Sequence, residues 1–342
     1  MYISFVARKT ITAKIVAMTA TKQKILQREY DNLQHFLQTG EDLGVYSSNK
    51  QQAERYYRVI KPEHQYPLSI RNDLIRIHHK KNTVAEYWLR IPTKGRRGGL
   101  WVAIRPHQPI PEDAKLLESK IVRKRKGWFA SIAIQKRIDP IRTKSILAVD
   151  LGERVIATVC GSFGNRRPRF HGRNVRGIRR HYAWLRKRLG EKKLLGVIRR
   201  INDAEKRKVN DALHKISRGI VDLAQEHNAT IVLGELHGIR KHAKGRRMNR
   251  IVSNMPYLKL SRMIEYKAEW VGIPVIKMQE HGTSKTCSRC NEYGKRPTQG
   301  QFKCDTCHRI SFNADYNGAL NILKRALSYM DSAGAVSESA HN

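Results

Sequence analysis

Cys287, Cys290, Cys304 and Cys307 form two Cys-x-x-Cys pairs thirteen residues apart, and Asp315 follows eight residues after the last of them. Four thiolates from two such knuckles are the tetrahedral set that zinc prefers. With every position filled by protein, that zinc has no open site for water and is structural, stapling a segment too small to own a core. The fifth cysteine, Cys160, closes the apolar run VIATVC, so the pattern argues for metal rather than disulfides. The spacing also means that the chain leaving Cys307 delivers a carboxylate to a place close to the metal knuckle.

The rest of the chain shows where that place is. Residues 1 to about 139 mix short strand-like runs with basic and helical stretches, including KGRRGGLWVAI (94–104) and KIVRKRKGWFASIAI (120–134). The latter alternates as a β-hairpin around Lys126 and Gly127. Near Pro140 a second region begins. KSILAVDLG (144–152), RVIATVC (154–160) and PRFHG (168–172) read as three strands. A helix with Ile178, Tyr182, Leu185 and Leu189 on one face follows, its other positions crowded by Arg179, Arg180, Arg186, Lys187 and Arg188. Then come a helix over 210–227, the strand TIVLG (230–234), a helix over 257–270, the strand IPVIKM (273–278), the cysteine segment, and a last helix capped by Asn313. Three antiparallel strands followed by alternating helices and strands is the plan of the RNase H-like nuclease fold. The expected class is therefore α/β, with a zinc ribbon inserted at 282–311 between the nuclease segments 140–281 and 312–328. Residues 329–342 are expected to be a disordered tail.

Asp150 ends the run ILAV and opens the Gly152 turn, which sets its carboxylate at the carboxyl edge of a buried strand. Asp315 falls in the first turn of the last helix. Two carboxylates from separate elements, joined by a third, are what a pair of divalent cations needs for phosphodiester hydrolysis, and hard Mg²⁺ or Mn²⁺ takes such oxygen ligands.

The chain has 342 residues, 67 Lys plus Arg against 29 Asp plus Glu, and a formal net charge of +38. A polyanionic partner is expected, since nucleic-acid phosphates neutralise such an excess and release counterions. Arg96, Arg97, the run Arg123, Lys124, Arg125 and Lys126, and Arg179 and Arg180 are the candidate nucleic-acid contacts, with Trp101 and Trp128 as candidate stacking partners. No stretch approaches the roughly 18 apolar residues that span a bilayer, so no membrane partner and a cytoplasmic, nucleoid-associated location in a prokaryotic host are expected.

KGWFASIAI, SILAVDLGERVIATV, HKISRGIVDLAQEHNATIVLGELHGIRK, the stretch 254–272, and TSKTCSRC continuing through CDTCHRISFNADYNGALNIL resemble the TnpB (OrfB) proteins of insertion sequences, compact relatives of the type V CRISPR effector nucleases. The resemblance runs from about 120 to 325. It implies an RNA-guided DNA endonuclease: a guide RNA from the element's end is bound, and it pairs with target double-stranded DNA next to a short flanking motif. It implies a RuvC-like domain with Asp150 and Asp315 as catalytic metal ligands. For residues 1–139 it implies an oligonucleotide-binding β-barrel with a helical insert that grips RNA and reads the flanking motif.

One position departs from that family. Its middle carboxylate opens a motif such as IVLEDL, where this chain has IVLGELHGIR, with Gly234 in the usual place and Glu235 one residue late. A one-residue slip turns a side chain to the other face unless the strand has ended or bulges. Glu280, directly after IPVIKM, is the preferred substitute. Two other readings stand beside the nuclease: a cleavage-inactive RNA-guided binding or regulatory protein, and an unguided RNase H-like transposase or resolvase.

Overall fold

In the computed structural model the chain divides into two units, Val6–Arg137 and the remainder. The structure describes residues 5–80, 82–152, 154–164, 167–235, 256–279, 282–307 and 309–339. Among them, no helix is long and apolar enough to cross a membrane.

The first unit is built on β1 (Phe5–Val16), β2 (Leu68–Ile70), β3 (Arg76–His79), β4 (Tyr87–Ile91), β5 (Leu100–Pro106), β6 (Lys115–Leu116), β7 (Ser119–Lys124) and β8 (Gly127–Ile138), with helices α1 (Ala20–Thr39) and α2 (Ser47–Tyr56) between β1 and β2. Along one sheet the order is β2-β7-β8-β1-β5-β4-β3, with β6 on β8. The β7–β8 hairpin pairs Lys124 with Gly127, leaving Arg125 and Lys126 as its turn. Strand alternation buries Ala130, Ile132 and Ile134 of β8. On α1, Leu26, Tyr30 and Leu33 form the buried stripe, and Glu29 is buried among them. Its carboxylate is satisfied by the backbone N–H groups of Tyr46 and Lys94 and by the Asn49 side chain, at 2.9, 3.0 and 2.8 Å. This buried carboxylate therefore ties α1 to the start of α2 and to the β4–β5 turn.

The second unit holds a five-stranded sheet in the order β11-β10-β9-β12-β13. β9 (Ser145–Asp150), β10 (Ala157–Gly161) and β11 (Arg169–His171) run antiparallel, whereas β12 (Ala229–Glu235) lies parallel to β9 and β13 (Val275–Gln279) parallel to β12. The first strand of this unit thus sits centrally beside the fourth. Both faces of β9 are covered, which is why it reads as a continuous apolar run. Leu147 and Val149 pack with α4 (Leu195–Glu226) and α5 (Tyr257–Trp270). Ile146 and Ala148 pack with Ala319, Ile322, Leu323 and Ala326 of α6 (Ala314–Ser339) on the other side. Gly172, at φ +76°, turns β11 into α3 (Arg173–Glu191); a Cβ there would meet Ile156 and Ile216 at 2.8 Å.

α6 continues to Ser339, past the 328 boundary expected for the last helix. The run LSYMDSAGAVSES contains Leu, Met and Ala, which favour helix, and no proline to stop it. Between β13 and α6 a small three-stranded sheet, β14 (Lys295–Thr298), β15 (Gln301–Cys304) and β16 (Arg309–Asn313), forms the ribbon.

Candidate active site and metal centre

Asp150 is the last residue of β9, and the pairing of β9, β10 and β11 sets Asp150 opposite Thr158 and Thr158 opposite Phe170. Directly paired residues share a face, and alternation puts this row on the side of Ile146 and Ala148, the side covered by α6. Asp315 approaches from the first turn of α6, where the Asn313 side chain accepts the Tyr316 N–H at 2.9 Å and caps the helix. Gly318, one turn on, faces the Asp150 carboxylate so closely that a Cβ would lie 2.8 Å from Oδ2. A helix therefore lies against a carboxylate, which only glycine permits.

Both carboxylates are costly to ionise. Burial, and then the charge of Asp315, push Asp150 up to about 7. Burial also raises Asp315, against the opposing pull of Arg296, Arg154 and Arg173. Arg296, from the ribbon, stands 3.9 Å from Asp315 and donates to the Gln299 carbonyl at 2.9 Å. Arg154 lies over Gly300, whose carbonyl accepts the Ala314 N–H that starts α6. Arg173, first residue of α3, sits over the Phe170 ring at 4.9 Å. The Thr158 hydroxyl is buried beside Asp150 with no hydrogen-bond partner. An orphaned hydroxyl and two desolvated carboxylates form an oxygen donor set that fits a hard divalent cation.

Cys287, Cys290, Cys304 and Cys307 bring their sulfurs within 4.8 Å of one another, an arrangement that fits one tetrahedral zinc. The Cys307 backbone N–H holds Cys304 down to about 7, while hydrogen bonding to Cys290 pushes Cys307 up to about 12. Phe302 is fully buried beneath the sulfurs and meets Phe312 edge-on. The ribbon is bound to α6 by two buried asparagines. Asn317 accepts the Ser288 N–H and donates to the Thr286 carbonyl, both at 2.8 Å, and Asn321 donates to the Thr283 and Thr286 carbonyls at 2.7 Å. These contacts bracket Cys287 and come from within two turns of Asp315, so the metal knuckle and the carboxylate are held by the same helix.

Residues 257–322, from α5 through the ribbon into α6, match the family described as Cas12f1-like, TNB domain. A TnpB-like protein of Methanocaldococcus jannaschii is 28% identical over 206 residues, covering 57% of this chain and 74% of that protein. The CRISPR-associated endodeoxyribonuclease Cas12f1 of Sulfoacidibacillus thermotolerans is 32% identical over 214 residues, 57% of this chain and 49% of that one. Over these stretches the chain is similar to TnpB-like and Cas12f proteins. It spans about half the length of that Cas12f1. A cryo-EM structure of a Cas12f1-sgRNA-target DNA complex aligns with 92% of this chain and 98% of that one, at 15% identity and a TM-score of 0.44.

Glu235 does not join the carboxylate row. β12 keeps its register through Gly234 opposite Met278 and Glu235 opposite Gln279, with no bulge. Val232 packs on the α6 side, while Ile231 and Leu233 pack on the α4–α5 side. Alternation assigns Gly234 to the first face and Glu235 to the second, away from Asp150. Glu280 lies outside the described residues.

The basic candidates separate by exposure. Arg96 and Arg97 are exposed in the β4–β5 turn, and Arg125 and Lys126 in the β7–β8 turn. Arg123 ion-pairs with Asp31 at 3.9 Å and lies over Trp128, and Lys124 covers Phe129. Trp128 is not a stacking platform: it is buried edge-on against Tyr30 in the core, as an inward position of an alternating strand dictates. Trp101 is half-buried against His78. Arg179 turns to Glu205 at 3.9 Å, whereas its neighbour Arg180 is exposed. Thr158, Gly318, Asn317, Asn321 and the three site arginines were not singled out by the sequence. The DLG turn at 150–152 and the NADYNGALN spacing after the last knuckle were the available signals.

Proposed function

We propose that the chain is an RNA-guided DNA endonuclease that hydrolyses phosphodiester bonds at the Asp150–Asp315 site. The observation that carries this reading is the convergence of those two carboxylates on one face of the sheet, against the helix that also anchors a four-cysteine ribbon. The strand order and the helix α6 packed on one face of the sheet support a RuvC-like, RNase H-like fold. Relatives named as endodeoxyribonucleases and as a putative RNA-guided DNA endonuclease support the activity.

Asp150 and Asp315 would hold Mg²⁺ or Mn²⁺, and Cys287, Cys290, Cys304 and Cys307 zinc. A divalent cation bound at the carboxylates supplies Lewis acidity to water and to the leaving oxygen. The protein's own part is to desolvate the two carboxylates and to hold Arg154, Arg173 and Arg296 beside them, where they would meet a phosphate. Glu280, which directly follows β13 in sequence, is proposed as the third carboxylate. The first unit, read as a β-barrel with the α1–α2 insert, would bind guide RNA and read the flanking motif. Its exposed turns at Arg96, Arg97, Arg125 and Lys126 would supply phosphate contacts.

The deciding experiment expresses the chain with its flanking DNA, sequences the RNA that copurifies, and programs cutting of a matched duplex with Mg²⁺. Cutting that Asp150→Ala abolishes is the expected result; undiminished cutting by that variant rules the site out. Glu235 facing away from the row favours one second reading, guided binding without cutting. Programmed binding with no cutting under any divalent ion would select it.

A further inference from the structure

α3 has two faces with different tasks. Its inner face buries Val175 and Tyr182, with Ile178 packed on the same core. Arg179 and Arg186 on that side both reach Glu205 of α4, and Lys208 of α4 covers the Tyr182 ring at 5.5 Å. These cations are used inside the protein to join the helices.

The outer face is different. Arg173, Arg180, His181, Trp184 and Arg188 recur at helical spacing and are all exposed. Trp184 is 54% exposed, which is unusual for the largest apolar side chain. The Arg188 guanidinium lies over its ring at 5.2 Å, and the His181 ring stands 6.2 Å away. At Gly177, within the same stripe, the surface is open. The stripe begins at Arg173, which lies over Phe170, a member of the Asp150–Thr158–Phe170 row. From Arg173 to Arg188 it runs about 22 Å along the helix.

Residues 173–208 carry fourteen Lys and Arg against three Asp and Glu. Such a surface selects a polyanion, and an aromatic platform with arginine alongside selects unpaired bases over a duplex, whose bases are already stacked.

We propose that the outer face of α3 is a track for single-stranded nucleic acid, with a base stacked on Trp184 and phosphates on Arg180 and Arg188, leading to Arg173 and the carboxylate pair. The track rests on the nuclease reading for its purpose, since it would feed a strand to Asp150 and Asp315. Its binding does not depend on catalysis.

The test uses the full chain carrying Asp150→Ala, in zinc-replete buffer without Mg²⁺ or Mn²⁺. The probes are a fluorescein-labelled dT20 and a 20-base-pair duplex. Adding Trp184→Ala should weaken dT20 binding about tenfold at 150 mM salt, while Trp184→Phe should restore most of it. Arg180→Ala and Arg188→Ala should each flatten the logarithmic salt dependence by about 0.7. Duplex affinity should fall much less with Trp184→Ala. Tryptophan emission quenched by dT20 should lose its main component in Trp184→Phe. Unchanged dT20 affinity in Trp184→Ala, with unchanged thermal stability, overturns the proposal. An equal loss for dT20 and duplex also overturns it. So does a dimer that Trp184→Ala converts to monomer with dT20 affinity intact, which would make this face a self-association surface. Because the background cannot cut, failure of the nuclease reading leaves the binding result standing. Conversely, a chain that cuts yet binds dT20 normally without Trp184 removes the track alone.

Discussion

Gly318 lies directly against Asp150: a Cβ on the helix would approach the carboxylate Oδ2 to 2.8 Å and Cγ to 3.2 Å. Substitution by alanine should favour the helix by about 1 kcal/mol through lower backbone entropy. The same methyl must displace the carboxylate or the helix. Gly318→Ala is therefore expected to hold or raise the melting temperature while reducing cutting at least a hundredfold, an order set by the known sensitivity of catalysis to misplacement of about 1 Å. Paired thermal melts and single-turnover cleavage check it. Normal cutting in a stable variant would show that the approach is not required.

The second expectation concerns the ribbon's attachment. Removing the Asn317 side chain leaves the Ser288 N–H and the Thr286 carbonyl without their partner in a buried place, which costs about 1–3 kcal/mol for such a loss. Asn317→Ala should lower stability by that amount and cutting by more, while zinc content stays at one per chain. Cys304→Ser should instead lose the zinc and, with it, protection of residues 282–307 from protease. Elemental analysis and limited proteolysis separate the two variants.

The difference between what was legible and what was not follows from range. The cysteine spacing, the 120–134 hairpin, the Asn313 cap and the three strands from 144 to 172 are local patterns, and the structure shows each of them. Asn317 and Asn321 act on residues 29 to 38 positions away, and Gly318 is defined by a carboxylate on another element, so neither has a local signature. Arg179 and Arg180 are adjacent and chemically alike. Only the position of Glu205 on the neighbouring helix assigns one to an internal ion pair and leaves the other exposed. Trp128 was misread for the complementary reason, since an aromatic in an alternating basic strand shows its side only once the sheet has a covered face.

The third expectation is a pH dependence of the metal-free site. The folded state holds Asp150 up to about 7, above its ordinary value of 3.8. A raised carboxyl contributes stability that is full below the ordinary value and is lost as pH rises toward the folded value. In buffer with zinc but without Mg²⁺ or Mn²⁺, stability should fall between pH 4 and 8. Asp150→Asn should remove much of that slope and be more stable than the parent at pH 8 by about 2 kcal/mol, allowing for partial exposure. Melts at several pH values check it. A slope unchanged by Asp150→Asn would assign the pH dependence to other groups.

The last expectation separates the two glutamates. β12 carries Glu235 in unbroken register, on the face opposite Asp150, so Glu235→Gln should leave cutting within about threefold of the parent. Glu280→Gln removes a charged ligand from a site that has two other carboxylates. If it is the third ligand, cutting should fall by at least about a thousandfold while guided DNA binding is retained, because binding does not require the cation. The measurement is single-turnover cleavage with Mg²⁺ beside a gel-shift of the same RNA-loaded protein. Should Glu235→Gln be the dead variant and Glu280→Gln the active one, the strand must leave its register at Gly234 when DNA is bound, and the site would form only in the complex.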